Sequence, residues 1–317
     1  MKALLHFSAG TGLREKLAAI AEPRIVVVEP QDEARFAREI ADAEVLLHVL
    51  APVTSAMIAM APKLRLIQKI GVGVNTIDRA AAARAGIAVA NMPGTNTAAV
   101  AEHTLALMLA TLRRIAALDG ATKAGRGWQV GADEAVALGE IGGSRVGFVG
   151  YGAVPQRLTP ALQALGAEVG FWNRSERPGA SAIALPFDEL LASSDIVSLH
   201  VPLTGGTRQL LDRAAIARLK PGAILINTAR GELVDQAALA EALQSGRIAG
   251  AGLDVFEREP ATELGALAAC PTLVTTPHIA WLTPQTLERS LAVARENCRR
   301  LQAGEALLHA IAPEAAA

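Results

Sequence analysis

Short apolar runs alternate with helical stretches along the whole chain. The runs fall into two series, each rich in Val, Ile and Leu. Short, nearly continuous apolar runs are typical of parallel strands that helices cover on both faces. The pattern predicts an α/β fold with two doubly wound, Rossmann-like parallel sheets. The predicted strands cover residues 3–7, 25–28, 45–50, 66–70 and 87–90 in the first series, and 145–149, 168–172, 196–199, 223–227, 250–255 and 273–275 in the second.

Two helical segments are predicted to connect the lobes. Residues 97–117 separate the two series of strands and are apolar over a length sufficient for a helix. From Pro284 to about residue 303, apolar positions recur at helical spacing, and Thr283 before the proline is a typical N-cap. This last helix could return to the first lobe. We therefore predict one discontinuous domain of residues 1–98 and 284–317, a second of residues 99–283, and an interdomain cleft.

The composition indicates a folded chain without a dominant charge. It has 317 residues, 51% of them hydrophobic and 19% charged, which is enough apolar material for two cores. The formal net charge of -1 creates no field that would collect nucleic acid or an anionic membrane, so neither is an expected partner. The N-terminal residues lack the long apolar core of a signal peptide, and we expect a cytoplasmic protein.

The cysteines do not indicate a disulfide framework or a metal site. Cys270 and Cys298 are the only two, and neither stands at metal-ligand spacing from another Cys or a His. No metal is therefore expected.

A glycine turn follows the first strand of the second series. Gly150 allows a tight turn, and Gly152 lets the backbone approach a pyrophosphate at the positive end of the following helix. Residues 168–172 supply a second strand at the required distance, so the segment predicts a dinucleotide site. Pro155 replaces the third glycine of the usual fingerprint. Proline is acceptable in a first helical turn, but helix and strand must then pack differently.

Polar groups follow the last three predicted strands. Arg230, Glu259 and His278 each lie just beyond one of these strands. In an open α/β sheet, ligands bind at the carboxyl ends of the strands. We therefore expect the three side chains to share one crevice.

The sequence around these residues resembles the D-isomer-specific 2-hydroxyacid dehydrogenase family. The matching blocks are Asn227-Thr-Ala-Arg-Gly-Glu-Leu-Val-Asp235, Leu253-Asp-Val-Phe256 with Glu259-Pro260, and Pro277-His-Ile-Ala280. Gly71-Val-Gly-Val-Asn-Thr-Ile-Asp78 looks like the family's substrate loop, and Val100-Ala-Glu-His103 looks like its linking helix. Several blocks in the right order are more specific than any one alone. The resemblance implies hydride transfer between NAD(P)H and a small 2-oxo acid, and a homodimer formed through the dinucleotide-binding domain, residues 99–283.

The three residues suit this chemistry. His278 is the candidate acid, since imidazole titrates near neutral pH, and the Glu259 carboxylate would favour its protonated form. Arg230 can grip a substrate carboxylate with its planar fork and polarise the carbonyl. These are the catalytic roles that the family assigns to the matching positions. The family also implies that the discontinuous domain of residues 1–98 and 284–317 binds the substrate, and that the backbone N–H groups of Val72 and Gly73 hold the substrate carboxylate.

The resemblance implies further coenzyme contacts, with Asp254 binding the nicotinamide carboxamide. The remaining positions implied to contact the coenzyme are Gly150, Tyr151, Gly152, Ala153, Val154, His200, Pro202, Thr207, Thr228, Ala229, His278 and Ala280.

The residues after the second strand of the predicted dinucleotide-binding domain, residues 168–172, bear on the choice between NAD and NADP. NAD sites usually carry an acidic residue there, which binds the ribose hydroxyls and repels a 2′-phosphate. Here Asn173 occupies the position, followed by Arg174, Ser175, Glu176 and Arg177. A guanidinium and a hydroxyl suit a phosphate, so NADPH is the predicted coenzyme, with Arg174 as main contact and NAD also possible. The alternative is an ordinary charged surface loop.

Two histidines and a tryptophan are predicted to have structural or cleft-lining roles rather than catalytic ones. His103 lies in an apolar helix and is predicted to be a packed or hydrogen-bonded structural residue. His200 ends a strand, and its position before Pro202 favours the lining of the coenzyme cleft. Trp128 is predicted to lie in the core or at a subunit interface.

Several functions remain open at this point. A dinucleotide-sensing regulator would keep the fold without turnover, although the intact Arg230, Glu259 and His278 argue against it. Formate dehydrogenase shares the fold but is expected to carry an amide in place of Glu259. A 3-phosphoglycerate-type dehydrogenase belongs to the same reaction class, but the sequence ends at Ala317, so we expect no appended regulatory domain. Trp281 beside the acid would narrow the pocket, which favours a glyoxylate or hydroxypyruvate reductase.

Overall fold

The computed structural model describes residues 1–129, 131 and 138–313. The chain divides into two compact units. One consists of Met1–Asn96 together with the C-terminal segment that begins at Thr283, and the other is Thr97–Leu282. Each unit contains its own parallel sheet.

The first unit is a five-stranded parallel sheet with the strand order β2-β1-β3-β4-β5. Apolar side chains from both faces are buried, and aspartate or threonine caps precede three of the helices. The predicted strands agree with the observed ones within two residues at each end. The elements are β1 (Lys2–His6), α1 (Thr11–Ala18), β2 (Arg24–Val28), α2 (Glu33–Ile40), β3 (Val45–His48), α3 (Ser55–Ala59), β4 (Leu66–Lys69), α4 (Arg79–Arg84) and β5 (Ala88–Ala90).

The second unit is a seven-stranded parallel sheet with the strand order β12-β11-β10-β9-β6-β7-β8. The order reverses beside β6, which is the switch point of a doubly wound sheet. The elements are α5 (Thr97–Leu112), α6 (Ile115–Lys123), β6 (Arg145–Val149), α7 (Ala153–Ala164), β7 (Glu168–Trp172), β8 (Ile183–Ala184), α8 (Phe187–Ser193), β9 (Ile196–Leu199), α9 (Arg213–Arg218), β10 (Ile224–Asn227), α10 (Gln236–Gln244), β11 (Gly250–Leu253) and β12 (Leu273–Thr275), with 3₁₀ turns at Gly127–Gln129, Gly231–Leu233 and Gly265–Ala269. The two predicted parallel-sheet α/β domains are confirmed.

The segment predicted as one helix over 97–117 is two helices. It breaks because Arg114 adopts a left-handed backbone conformation with φ of 51°, which a continuous helix cannot contain. None of the side chains of α6 is buried. Trp128 follows α6 and is 95% exposed, so the prediction that it lies in the core is wrong, and only the interface alternative remains.

The C-terminal helix α11 (Pro284–Ala303) begins and ends as its sequence predicts. The Thr283 hydroxyl accepts a hydrogen bond from the N–H of Thr286. Gly304, with φ of 69°, ends the helix in the left-handed conformation that glycine tolerates. Asn297 on this helix donates to the Gln68 side chain of β4, which ties the helix to the first sheet. No helix among the described residues is both long and apolar enough to cross a bilayer.

Candidate active site

The carboxyl ends of β10, β11 and β12 lie side by side in the second sheet. Asn227 pairs with Leu253, and Leu253 pairs with Thr275, so the three strands end at the same level. The loops that leave these ends carry Arg230 and His278 together with Glu259. The register of the sheet therefore brings together three side chains that are far apart in the sequence.

Asn227 shapes the loop that presents Arg230. Its side-chain oxygen accepts from the N–H of Ala229 at 3.0 Å, and its Nδ2 donates to the carbonyl of Arg230 at 2.8 Å. Gly231 comes next, and a Cβ there would lie 1.9 Å from the backbone of Phe256. Only glycine allows the Arg230 loop to approach the Glu259 loop so closely.

Glu259 is hydrogen-bonded to His278 and lies within the electrostatic influence of Arg230. Its Oε2 lies 2.6 Å from Nδ1 of His278, and its Oε1 accepts from the N–H of Phe256 at 2.9 Å. Burial acts to raise the pKa of Glu259, but the hydrogen bond from His278 and the nearby charges, including Arg230, lower it overall. Burial lowers the pKa of Arg230, opposed by the charge of Glu259. An arginine stays protonated through such a shift, so the site holds a carboxylate beside a guanidinium and an imidazole.

The backbone of His278 is held in a left-handed conformation with φ of 56°. This conformation costs a non-glycine residue free energy and persists where the surroundings impose it. The N–H of His278 donates to the Asp254 carbonyl at 2.8 Å, and Nε1 of Trp281 donates to the His278 carbonyl at 3.1 Å. Both peptide groups that flank the imidazole are therefore fixed, and its Nδ1 is aimed at Glu259.

The Asp254 carboxylate organises the turn that carries His278. It is buried and accepts hydrogen bonds from the N–H groups of Ile279 and Ala280 and from the Thr276 hydroxyl. Nε2 of His103 lies 2.9 Å from the same Thr276 hydroxyl, which agrees with the prediction of a structural, hydrogen-bonded histidine. The contact of Asp254 with a nicotinamide carboxamide stays a prediction.

The glycine turn fits a dinucleotide. Gly150 has φ of 94°, and a Cβ there would lie 2.7 Å from the carbonyl oxygen of His200, so the position requires glycine. A Cβ on Gly152 would meet nothing within 4 Å, and no side chain caps the helix that starts at Ala153. The first N–H groups of a helix have no partner within the helix and attract anions. The open space beside Gly152 is therefore a suitable cradle for a pyrophosphate.

Pro155 is accommodated in the way that the sequence predicts. It is buried in the first turn of α7, which continues to Ala164. Tyr151 is buried as well, and its ring stacks on Phe171 of β7 at a centroid distance of 4.2 Å. Aromatic side chains therefore pack beneath the turn in which Pro155 replaces the third glycine of the fingerprint. Val154 packs against the same core.

Asn173 links the glycine turn to the loop after β7. Its side-chain oxygen accepts from the N–H of Tyr151 at 3.2 Å, and its Nδ2 donates to the carbonyl of Ser175 at 2.7 Å. The Arg174 side chain is exposed and forms no hydrogen bond or ion pair with the residues that the structure describes. Its guanidinium is therefore available to a ligand beside the turn.

The His200 ring is turned into the protein. Nε2 lies 2.9 Å from the Ser198 hydroxyl, and the ring packs edge-on against Phe148. Burial lowers the pKa of His200 to about 3, so the ring is neutral at physiological pH. The part of His200 that lines the glycine turn is its carbonyl oxygen, beside Gly150.

The remaining predicted coenzyme residues lie in loops at the same end of the second sheet. The Thr207 hydroxyl donates to the carbonyl of Pro202 at 2.7 Å. Thr228 lies 2.9 Å from the Thr104 hydroxyl of α5, and Ala229 is held by Asn227 as described. The structure thus assigns these residues to ordered loops, while their coenzyme contacts stay predictions.

The predicted carboxylate-binding residues lie in the first unit. Val72 is 47% exposed and Gly73 follows it, in the loop directly after β4. Gly71 precedes them with φ of 125°, a conformation that favours glycine. Within the described part of the chain, no group of His, Cys, Asp or Glu is arranged to hold a metal ion.

Asn227 and Thr276 are supporting residues for which no separate role was predicted from the sequence. Asn227 donates to the carbonyl of Arg230 in its own block, whereas the Thr276 hydroxyl donates to Asp254, whose carboxylate organises the turn that carries His278. A short polar residue at the end of a parallel strand was the available signal. It does not specify a partner.

Comparison with known proteins places this geometry in a family context. A model for "D-isomer specific 2-hydroxyacid dehydrogenase, NAD binding domain" matches residues 105–280. The D-3-phosphoglycerate dehydrogenase of Mycobacterium leprae (strain TN) is 37% identical over 283 residues, which are 88% of this chain and 53% of the relative. The glyoxylate reductase of Thermococcus litoralis is 38% identical over 293 residues, which are 90% of this chain and 86% of the relative.

A solved structure agrees over nearly the whole chain. The D-lactate dehydrogenase from Aquifex aeolicus, complexed with NAD and lactic acid, superposes with a TM-score of 0.84 at 28% identity and covers 96% of both chains. The chain spans about half the length of the D-3-phosphoglycerate dehydrogenases that it matches, and most of the glyoxylate reductase.

Proposed function

Because the chain belongs to the D-isomer-specific 2-hydroxyacid dehydrogenase family, we propose that it reduces a small 2-oxo acid to the D-2-hydroxy acid with NAD(P)H. The substrate class that we favour is the glyoxylate and hydroxypyruvate type. The observation that carries the proposal is the 2.6 Å contact between Glu259 and Nδ1 of His278, with Arg230 beside the carboxylate.

His278 is the proton donor of the proposed reaction. Its Nδ1 is engaged by Glu259, so Nε2 is the nitrogen that faces the substrate carbonyl. The bound coenzyme supplies the hydride. Nε2 gives its proton to the carbonyl oxygen as the alcohol forms, and the Glu259 carboxylate stabilises the imidazolium beforehand. Glu259 is therefore a positioning residue, while His278 touches the reacting atoms.

Arg230 holds the substrate and polarises it. Its charge survives burial, and a buried guanidinium binds a carboxylate more strongly than an exposed one does, since water competes less. The N–H groups of Val72 and Gly73 are proposed to hold the same carboxylate. Trp281, whose Nε1 donates to the His278 carbonyl at 3.1 Å, is proposed to limit the space next to His278 and so to favour small acids.

A substrate panel tests the choice of acid. Glyoxylate, hydroxypyruvate, pyruvate, phenylpyruvate and 3-phosphohydroxypyruvate would each be assayed with NADH and with NADPH. We expect the highest kcat/KM for glyoxylate or hydroxypyruvate. The similarity to D-3-phosphoglycerate dehydrogenases favours 3-phosphohydroxypyruvate as the second candidate, and a higher kcat/KM for that substrate would establish it instead.

Two features argue against formate dehydrogenase activity and against a dinucleotide-sensing regulator. A formate dehydrogenase is expected to carry an amide at position 259, where this chain has a carboxylate. A regulator without turnover has no need of a proton donor such as His278, whose backbone is held in a left-handed conformation. Absence of any turnover across the panel would support the regulator.

The pairing of Glu259 with His278 predicts a change in pH dependence. The pKa of Glu259 is lowered, so the carboxylate is ionised throughout the neutral range and is lost as a partner only well into the acid range. Glu259→Gln removes the charge that favours the imidazolium. The alkaline limb of the kcat/KM profile for reduction should therefore move to lower pH. Glu257→Gln, two residues earlier and exposed, is the matched control, and identical profiles for Glu259→Gln and wild type would remove Glu259 from the mechanism.

NADPH is the proposed coenzyme. Support comes from Asn173 in place of an acidic residue and from the exposed, uncommitted guanidinium of Arg174. Ser175 is a secondary candidate contact. NAD stays possible, because the Aquifex aeolicus relative holds NAD on the same fold.

A homodimer formed through the second unit is also proposed. Support comes from α6, none of whose residues is buried, and from two exposed apolar side chains, Ile115 at the start of α6 and Trp128 in the 3₁₀ turn that follows it. Trp128→Glu should convert a dimer to a monomer in sedimentation velocity, since a buried charge opposes association. Leu165→Glu alters an exposed apolar residue elsewhere on this unit and should leave the dimer intact. A wild-type monomer would contradict the proposal.

A further inference from the structure

We propose that Asn91 is a positioning residue that aims the N–H groups of Val72 and Gly73 at the substrate carboxylate. Asn91 directly follows β5, at the carboxyl end of the strand that neighbours β4. Its role rests on the proposed function, because it acts through the loop after β4 that is proposed to bind the carboxylate.

The two carbonyl groups of this loop are held from one side. Nδ2 of Asn91 donates to the carbonyl of Val72 at 2.9 Å, and the N–H of Met92 donates to the carbonyl of Gly71 at 2.9 Å. In a trans peptide the C=O and the following N–H point in opposite directions. The N–H groups of Val72 and Gly73 therefore both point away from Asn91 and Met92.

These two N–H groups have no hydrogen-bond acceptor among the residues that the structure describes, which are 1–129, 131 and 138–313. Val72 is 47% exposed, so the loop is open to a ligand. Two successive N–H groups that point the same way form an anion-binding concavity, and a carboxylate offers two oxygens to such a pair.

Asn91 is itself rigidly placed. Its N–H donates to the carbonyl of His309 at 3.2 Å, and its carbonyl accepts from Nε2 of Gln68 at 3.3 Å. Gln68 is fully buried and is anchored in turn by Nδ2 of Asn297 at 2.6 Å. Because the main chain of Asn91 is gripped on both sides, its side-chain amide reaches Val72 with little loss of conformational freedom.

The residue type matters at this position. An amide supplies the N–H that the Val72 carbonyl needs, whereas an ionised carboxylate has only acceptors and would repel both that carbonyl and an incoming substrate carboxylate. A protonated carboxyl group could again donate. The proposal therefore predicts that an aspartate here works only at low pH.

Asn91→Ala should raise the KM for the 2-oxo acid roughly tenfold, as expected for one hydrogen bond that positions a binding group. The kcat and the coenzyme dissociation constant should stay near the wild-type values. The matched control is Arg65→Ala, which removes another 2.9 Å bond from a side chain to a carbonyl, at the opposite end of β4. That variant should leave the KM unchanged.

Asn91→Asp provides a readout that a merely structural role would not move. The ratio of its KM to the wild-type KM at the same pH should be larger at pH 7 than the same ratio for Asn91→Ala. This ratio should fall as the pH is lowered through the range in which carboxyl groups become protonated. A KM ratio that stays constant across pH, or an unchanged KM in Asn91→Ala, would overturn the role of Asn91. The proposed function would still stand as long as the wild type reduces a 2-oxo acid. A wild type that reduces no 2-oxo acid would overturn the proposed function, and the role of Asn91 with it.

Discussion

Replacing His278 by alanine is expected to abolish measurable reduction of the 2-oxo acid while leaving the coenzyme bound with nearly unchanged affinity. General acid catalysis contributes roughly 10²–10⁴-fold to a rate. The imidazole is the group whose free Nε2 can supply the proton, since Nδ1 is held by Glu259 at 2.6 Å. The glycine turn at Gly150 belongs to a different loop of the sheet and should not respond.

Two measurements separate this outcome from misfolding. Calorimetric titration with the coenzyme should give the wild-type dissociation constant, and added imidazole should restore part of the rate by filling the vacated space. His309→Asn serves as the control, because this exposed histidine lies in the first unit, its side chain has no assigned role, and asparagine tolerates its left-handed backbone. A His278→Ala enzyme that retains more than about a tenth of the wild-type kcat would show that another group donates the proton.

Replacing Arg174 by alanine is expected to lower kcat/KM for NADPH by roughly tenfold to a hundredfold and to leave kcat/KM for NADH nearly unchanged. A charge-assisted hydrogen bond to a phosphate contributes about 1.5–3 kcal/mol, which corresponds to that range. NADH has no 2′-phosphate for the guanidinium to bind. The exposed position of Arg174 means that little folding stability depends on it.

Arg177→Ala serves as the comparison for Arg174→Ala. Arg177 carries the same charge three residues later in the same exposed loop, but Arg174 is the predicted main contact, so Arg177→Ala should lower kcat/KM for NADPH less than Arg174→Ala does. Equal losses with both coenzymes in Arg174→Ala would refute this interpretation of the loop, as would a wild type with the higher catalytic efficiency for NADH.

Much of the fold follows from hydrophobic patterning. Parallel strands buried on both faces produce continuous apolar runs, and the predicted strand at residues 145–149 matches Arg145–Val149 residue for residue. The C-terminal helix was equally predictable, because Thr283, Pro284 and Gly304 mark its two ends by local chemistry. Such elements are determined by their own residues.

Other features depend on surroundings that a sequence pattern does not contain. The strand Ile183–Ala184 exists because it pairs with β7, and at two residues it is too short to produce the apolar run by which the longer strands were predicted. The break after Leu112 comes from the left-handed backbone of Arg114, a residue type that gives no warning of it. Trp128 is 95% exposed, and its apolar character alone gives no sign of that position.

The candidate site was predictable in its charged residues and not in their supports. Arg230, Glu259 and His278 stand in distinctive blocks, and the strand register places them together. Asn91 stands in no such block, since its partner Val72 is reached only by pairing β4 with β5. Hydrogen bonds between loops of neighbouring strands depend on the assembled sheet.

The central claim is hydride transfer to the carbonyl carbon of a 2-oxo acid with D stereochemistry, and isotope transfer measures it directly. Purified protein would be incubated with hydroxypyruvate and NADPH carrying deuterium at both C4 positions, and the product analysed by mass spectrometry and chiral chromatography. The account predicts one deuterium at C2 of D-glycerate, in stoichiometric proportion to the coenzyme oxidised. Glycerate of the L configuration, or oxidation of the coenzyme without deuterium at C2, would contradict it.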